Sequence, residues 1–145
     1  MKRSLFIVPL LILFLAGCAS TAKAPASGPG SADEPIKVEA AAFLKEFDAN
    51  KISAQDKYKD KYIQTAGFIG NISGGDALGL YAVINPAPSE VQSGITVPYF
   101  GSAIQCYLEK SDASALTNGQ SITIKGQVQD QIMTNVQVKN CSVVK

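Results

Sequence analysis

Between Lys61 and Val144 apolar and polar residues alternate in runs separated by glycine, proline and asparagine. A period of two puts successive side chains on opposite faces, so each run predicts a strand. The first covers about Lys61–Ile72, and Gly67 in its interior marks a bulge or a sharp coil. "SGGDALG" is a turn, and "LGLYAVIN" is the second strand, ended by Asn85-Pro86. The loop "PAPSEVQSGITVP" is punctuated by three prolines. "YFGSAIQCYLE" is the third strand and "QSITIKGQVQD" the fourth, with Ile122, Ile124 and Val128 alternating against Thr123, Lys125 and Gln127. "IMTNVQVKNCSVV" is the fifth, and "KSDASALTNG" has room for one helical turn.

Before Lys61 the period changes. Val38, Ala41, Ala42, Leu44 or Lys45, and Phe47 fall near helical spacing, which predicts a helix over about Val38–Ala49. Asn50 is placed to stop it in a left-handed conformation. "SAQD", Ser53–Asp56, has the spacing of a capping box and predicts a short second helix, about Ala54–Tyr58.

Residues 1–17 follow a different logic. Lys2 and Arg3 precede an apolar run from Leu5 to Ala16. Twelve residues are too few for an ordinary bilayer span, which needs about 20. "LAGC", ending at Cys18, resembles the bacterial lipobox, which implies cleavage after Gly17 and acylation of Cys18. Ala19 after the cysteine implies, by likeness to enteric lipoproteins, the outer membrane, with the protein facing the periplasm. In a Gram-positive cell it implies the extracytoplasmic face of the plasma membrane. Residues 18–35 then form the acylated cysteine and a tether of Ala, Ser, Gly and Pro. Its coil dimension is about 20–25 Å. The folded domain is expected over 36–145.

Charge narrows the partners. The chain has 13 Lys plus Arg and 12 Asp plus Glu. Loss of Lys2 and Arg3 with the leader leaves 11 against 12, a net charge of −1. A nucleic-acid-binding domain carries a basic excess. The stretch "DKYKDKY" interleaves lysines with tyrosines, yet Asp56 and Asp60 offset Lys57, Lys59 and Lys61. It reads as a structural lead-in, with Tyr58 packed under the barrel or plugging its end and the lysines solvated. Contact with an anionic ligand or nucleic acid is the alternative.

Histidine is absent. That removes the commonest general base and most transition-metal sites. No phosphate-cradling motif occurs, and Asp48, Asp56, Asp60 and Asp76 show no catalytic spacing. The expectation is no enzyme, no cofactor and no metal.

Five strands, a glycine in the first and a short helix after the third describe an OB-fold. The segments "FDANKISAQDKYKDKYIQTAGFI", "IQCYLE", "GQSITIKGQV" and "NCSVV" resemble the tRNA-anticodon-binding-like OB-fold family of bacterial lipoproteins and exported proteins. Tyr58, Lys61, Gly67, Cys106, Gly119, Gly126 and Cys141 occupy the family's positions. The expected fold is therefore all-β with a helical lead-in, a five-stranded Greek-key barrel preceded by one or two helices.

The resemblance also implies where ligands and cysteines lie. OB-folds bind across their second and third strands. Alternation on the third strand groups Phe100, Ile104, Cys106 and Leu108 as core. It leaves Tyr99, Ala103, Gln105 and Tyr107 outside. Tyr99 and Tyr107 with Tyr81 would form a stacking platform beside Gln105; otherwise the tyrosines simply cover sheet surface. Strands three and five lie parallel in this fold, which would set Cys106 beside Cys141. A disulfide is expected in an oxidising compartment, with a bulge near Lys139-Asn140 to turn Cys141 inward. The alternative is two buried thiols.

The sequence thus points to a lipid-anchored, non-enzymatic OB-fold module that binds an envelope protein or a glycan. The alternative is a structural accessory subunit of an envelope complex. Nucleic acid is not expected as a partner.

Overall fold

The computed structural model describes residues 30–75, 79–92 and 95–144. Among the described residues a two-residue strand β1 (Ile36–Lys37) comes first, followed by two helices, α1 (Ala40–Ala49) and α2 (Lys51–Tyr58). Strands β2 (Tyr62–Gly75) and β3 (Gly79–Asn85) follow, then a small hairpin of β4 (Glu90–Gln92) and β5 (Ile95–Val97). The remainder is β6 (Ala103–Leu108), α3 (Lys110–Ala113), β7 (Ser121–Ile132) and β8 (Asn135–Val143).

Six of the strands form one mixed sheet in the order β1-β2-β3-β6-β8-β7. β2 also pairs with β7, so the sheet closes into a ring of β2, β3, β6, β8 and β7. This closure depends on the length of β2. Its first half, Tyr62–Phe68, pairs antiparallel with β7, and Phe68–Gly75 pairs antiparallel with β3. The strand must bend where it changes partner. The register shift falls between Ile69 and Asn71, so the bulge is at Gly70 rather than at Gly67. Gly67 serves close approach instead: an added Cβ would lie 2.8 Å from the Asn85 carbonyl oxygen.

The helices differ from expectation in phase and capping. Ala40, Phe43, Leu44 and Phe47 are the buried stripe of α1, while Ala41 and Ala42 face solvent. The Glu39 carboxylate accepts from the Ala41 and Ala42 amides at 3.1 and 2.7 Å, an N-terminal cap that also suits the helix dipole. Asn50 is extended, at φ −159° and ψ 92°, not left-handed. Its N–H donates to Glu46 O, and its side-chain oxygen accepts from Ser53 N at 3.1 Å. One residue thereby ends α1 and caps α2, so Ser53 lies inside α2 and its expected capping box does not form.

Tyr58 is buried. Its ring centroid lies 5.0 Å from that of Phe43, edge-on, and 6.2 Å from that of Phe47. This trio joins Ile63, Ile84, Ile104, Ile124, Val128, Val136 and Val138 in one core. The lysines around Tyr58 hold the lead-in together. Lys57 Nζ donates to the Glu46 carboxylate, and Lys61 Nζ donates to Lys57 O at 2.6 Å.

The helices cover one end of the ring. The Asp48 carboxylate accepts from Ser102 Oγ, just before β6, and from Gln131 Nε2 near the end of β7. Residues 30–35, expected in the tether, are docked here too. Tyr62 N donates to Gly30 O at 2.6 Å, and Gly30 and Ser31 are buried. The leader, Cys18 and the rest of the expected tether lie outside the described residues.

Candidate functional site

The outer face of β3, β6 and β8 follows from their registers. Tyr81 stands opposite Tyr107, and Val83 opposite Gln105. Gln105 stands opposite Gln137 on the parallel strand β8. Alternation turns Ala82, Ile84, Ile104, Cys106, Val136 and Val138 inward and leaves the first group half-buried outside.

The two tyrosine rings lie 5.8 Å apart and are inclined by 56°. Gln105 Nε2 donates to Tyr107 Oη at 3.1 Å, and Gln137 Nε2 donates to it at 3.5 Å. These amides position the ring and leave their own oxygens free of any bond seen among the described residues. A cleft of about 470 Å³ opens beside Tyr107. Gly79, Leu80, Leu108, Gln137, Asn140 and Cys141 line it, with Glu109 and Lys139 supplying one charge of each sign.

Cys141 reaches the cleft wall because of a bulge. Cys106 pairs with Val138, but Leu108 pairs with Cys141, so β8 spends an extra residue between them. Asn140 absorbs it at φ +52°, a left-handed conformation that Asn tolerates. The bulge lies at the expected Lys139-Asn140. Cys106 and Cys141 are joined by a disulfide with Cα atoms 5.9 Å apart.

Of the expected platform, Tyr81, Gln105 and Tyr107 come together and Tyr99 does not. β6 begins only at Ala103, so Tyr99 and Phe100 belong to the preceding loop. The Tyr99 side chain folds back over Gly101, whose missing Cβ makes the room. Phe100, expected in the core, is 85% exposed, and Ala103, expected outside, is buried. Gln137 is not singled out by the sequence, and Lys139 and Asn140, expected only as a bulge, also line the cleft. The placement of Gln137 between Val136 and Val138 was the available signal.

Ionic groups perturbed by neighbours lie at the helix-covered end, away from the cleft. Hydrogen bonds from Lys57 hold the Glu46 carboxyl below its usual range, and Glu46 in turn raises Lys57. Lys51 lowers the Asp130 carboxyl, at 2.9 Å. Among the described residues no group of three metal-ligating side chains forms, and no helix is long and apolar enough to cross a membrane.

The tRNA_anti-like family model matches residues 1–142. The chain belongs to the tRNA_anti-like family. A crystal structure of a similar protein, a "putative nucleic acid-binding lipoprotein" of Klebsiella pneumoniae subsp. pneumoniae, is 26% identical with a TM-score of 0.56. The match covers 77% of this tRNA_anti-like chain and 92% of the Klebsiella one. An OBody bound to hen egg-white lysozyme matches at 13% identity and a TM-score of 0.41, over 61% of this chain and 86% of its own. A likeness that distant carries no argument. No curated protein matches the chain.

Proposed function

We propose that this protein is a lipid-anchored binding module of the cell envelope, without enzymatic activity, built on an OB-fold ring. Acylation of Cys18 would hold it to the membrane, facing the periplasm from the outer membrane if the cell has one. The expected partner is an envelope protein or a glycan. The paired rings of Tyr81 and Tyr107, with Gln105 and Gln137 beside them, carry this reading. Aromatic faces cover the apolar faces of sugar rings, and amides match their hydroxyls. The single Lys139 and single Glu109 at the cleft suit an uncharged glycan better than a polyanion.

The name of the Klebsiella protein supports a second reading, a single-stranded nucleic acid stacked on the same tyrosines. It runs against the expectation of no nucleic-acid partner. A soluble form starting at residue 19 should be tested on a glycan array and titrated with single-stranded oligonucleotides at rising salt. Glycan binding lost in Tyr107→Ala supports the first reading. Oligonucleotide binding that falls steeply with salt and is lost in the same variant would replace it with the second.

A further inference from the structure

The strand directions define two ends of the ring. β2 runs antiparallel to β3 and β7, and β8 runs parallel to β6. The starts of β2, β6 and β8 therefore share an end with the finishes of β3 and β7. Large apolar side chains stand in solvent there. Phe100, just before β6, is 85% exposed, and Met133 and Ile132 at the β7–β8 turn are 92% and 53% exposed. Ile52, at 74%, belongs to α2, whose Lys51 bonds Asp130 and the Gln131 carbonyl beside that turn. Single exposed apolar residues are ordinary on a soluble surface, but a group of them at one end marks a contact.

The chain from Cys18 arrives at the same end. Gly30 accepts a hydrogen bond from Tyr62, the first residue of β2. Twelve residues lead from Cys18 to Gly30, and such a length reaches about 40–43 Å at full extension. The cleft beside Tyr107 and Cys141 lies toward the other end, where β6 and β8 finish.

We propose that the end bearing Phe100, Ile132, Met133 and Ile52 rests on the lipid surface and directs the cleft away from it. This rests on the reading of Cys18 as acylated. At this end Lys51 pairs with Asp130 and Lys57 with Glu46, and the Asp48 carboxylate is held by hydrogen bonds from Ser102 and Gln131. Asp33 and Glu34 are exposed, so the end carries no basic excess. Lys59 and Lys61 are offset by Asp56 and Asp60. Contact therefore draws on apolar burial at the boundary between headgroups and acyl chains, and it does not require anionic lipid.

The chain contains no tryptophan, so one introduced residue is a unique probe. Phe100→Trp, Met133→Trp and, at the opposite end, Asn118→Trp are prepared as full-length protein purified from membranes. Intact mass establishes acylation. The acylated variants are reconstituted in phosphatidylcholine vesicles, with and without bromine on the acyl chains. Emission at positions 100 and 133 should shift to the blue and be quenched by brominated lipid, while position 118 is unaffected. Water-like, unquenched emission from acylated, vesicle-bound protein at 100 and 133 overturns the proposal. A blue shift without bromine quenching also overturns it, because a protein or second copy then covers the end. Absence of acyl mass removes the anchor reading and this proposal with it. Melting curves matching the parent chain verify that each variant is folded.

Discussion

Gly126 lies directly against Cys141: an added Cβ at residue 126 would stand 2.9 Å from the Cys141 sulfur. It would also stand 2.6 Å from Val138 Cγ1 and 3.0 Å from the Lys139 carbonyl oxygen. β7 thus presents a bare backbone where β8 bulges to bring its cysteine inward. The glycine, the bulge and the disulfide are one packing solution, and the cleft wall is its outer surface.

Gly126→Ala should therefore destabilise the fold. Reduced freedom of the unfolded chain would contribute about 0.4–1 kcal/mol in its favour. Overpacking against backbone and a cross-link costs about 1–3 kcal/mol, which prevails. Chemical denaturation should show a lowered midpoint with an unchanged slope.

The disulfide closes 35 residues of chain. In the loop-entropy model that corresponds to about 4 kcal/mol. Replacing both cysteines with Ser should lower stability by up to that amount. In the parent protein, alkylation should label neither Cys106 nor Cys141 before reduction and both afterwards, as read by mass spectrometry. Two labelled thiols before reduction would refute the bond in the exported protein.

Tyr81→Ala and Tyr107→Ala should each weaken partner binding by about 5–150-fold, the equivalent of about 1–3 kcal/mol for one stacked ring. Tyr99→Ala should leave binding unchanged, because its side chain lies over Gly101 and away from the paired rings. Equal losses in all three variants would return Tyr99 to the platform.

Acid should weaken the attachment of the helices. The carboxyls of Glu46 and Asp130 titrate below their ordinary 4.5 and 3.8 in the folded protein. Such groups stabilise above the unfolded values, and the contribution is lost as pH falls through the depressed ones. Both ion pairs are about half exposed, so the loss is small. Melting temperature should decline below about pH 4.5, and less so in a Glu46→Gln, Asp130→Asn variant. An identical decline in that variant assigns the acid sensitivity elsewhere.

Cys18→Ser should block both acylation and cleavage by the lipoprotein peptidase. The uncut precursor should then accumulate. A processed, lipid-bearing chain in that variant would refute the lipobox.

The alternation of side chains determined much of this protein by itself. Period two placed the five ring strands, because burying one face of a strand is a local property of its pattern. The bulge near Lys139-Asn140 was legible for a related reason: Cys141 falls out of step with Val136 and Val138, and an extra residue restores it. Phe47 and Tyr58 also read as core from the sequence. Only the tertiary structure decided which residues share a site. Tyr99 obeys the alternation of β6 on paper, yet the strand starts four residues later, and pairing with β3 and β8 sets that start. Asn50 caps α2 because α1 ends against it, a relation between two helices that neither pattern contains. Gly70, not Gly67, carries the bulge because β2 changes partner there. Strand pairing and docking of residues 30–35 join positions far apart in the chain. Their free energy lies in contacts that no window of sequence includes.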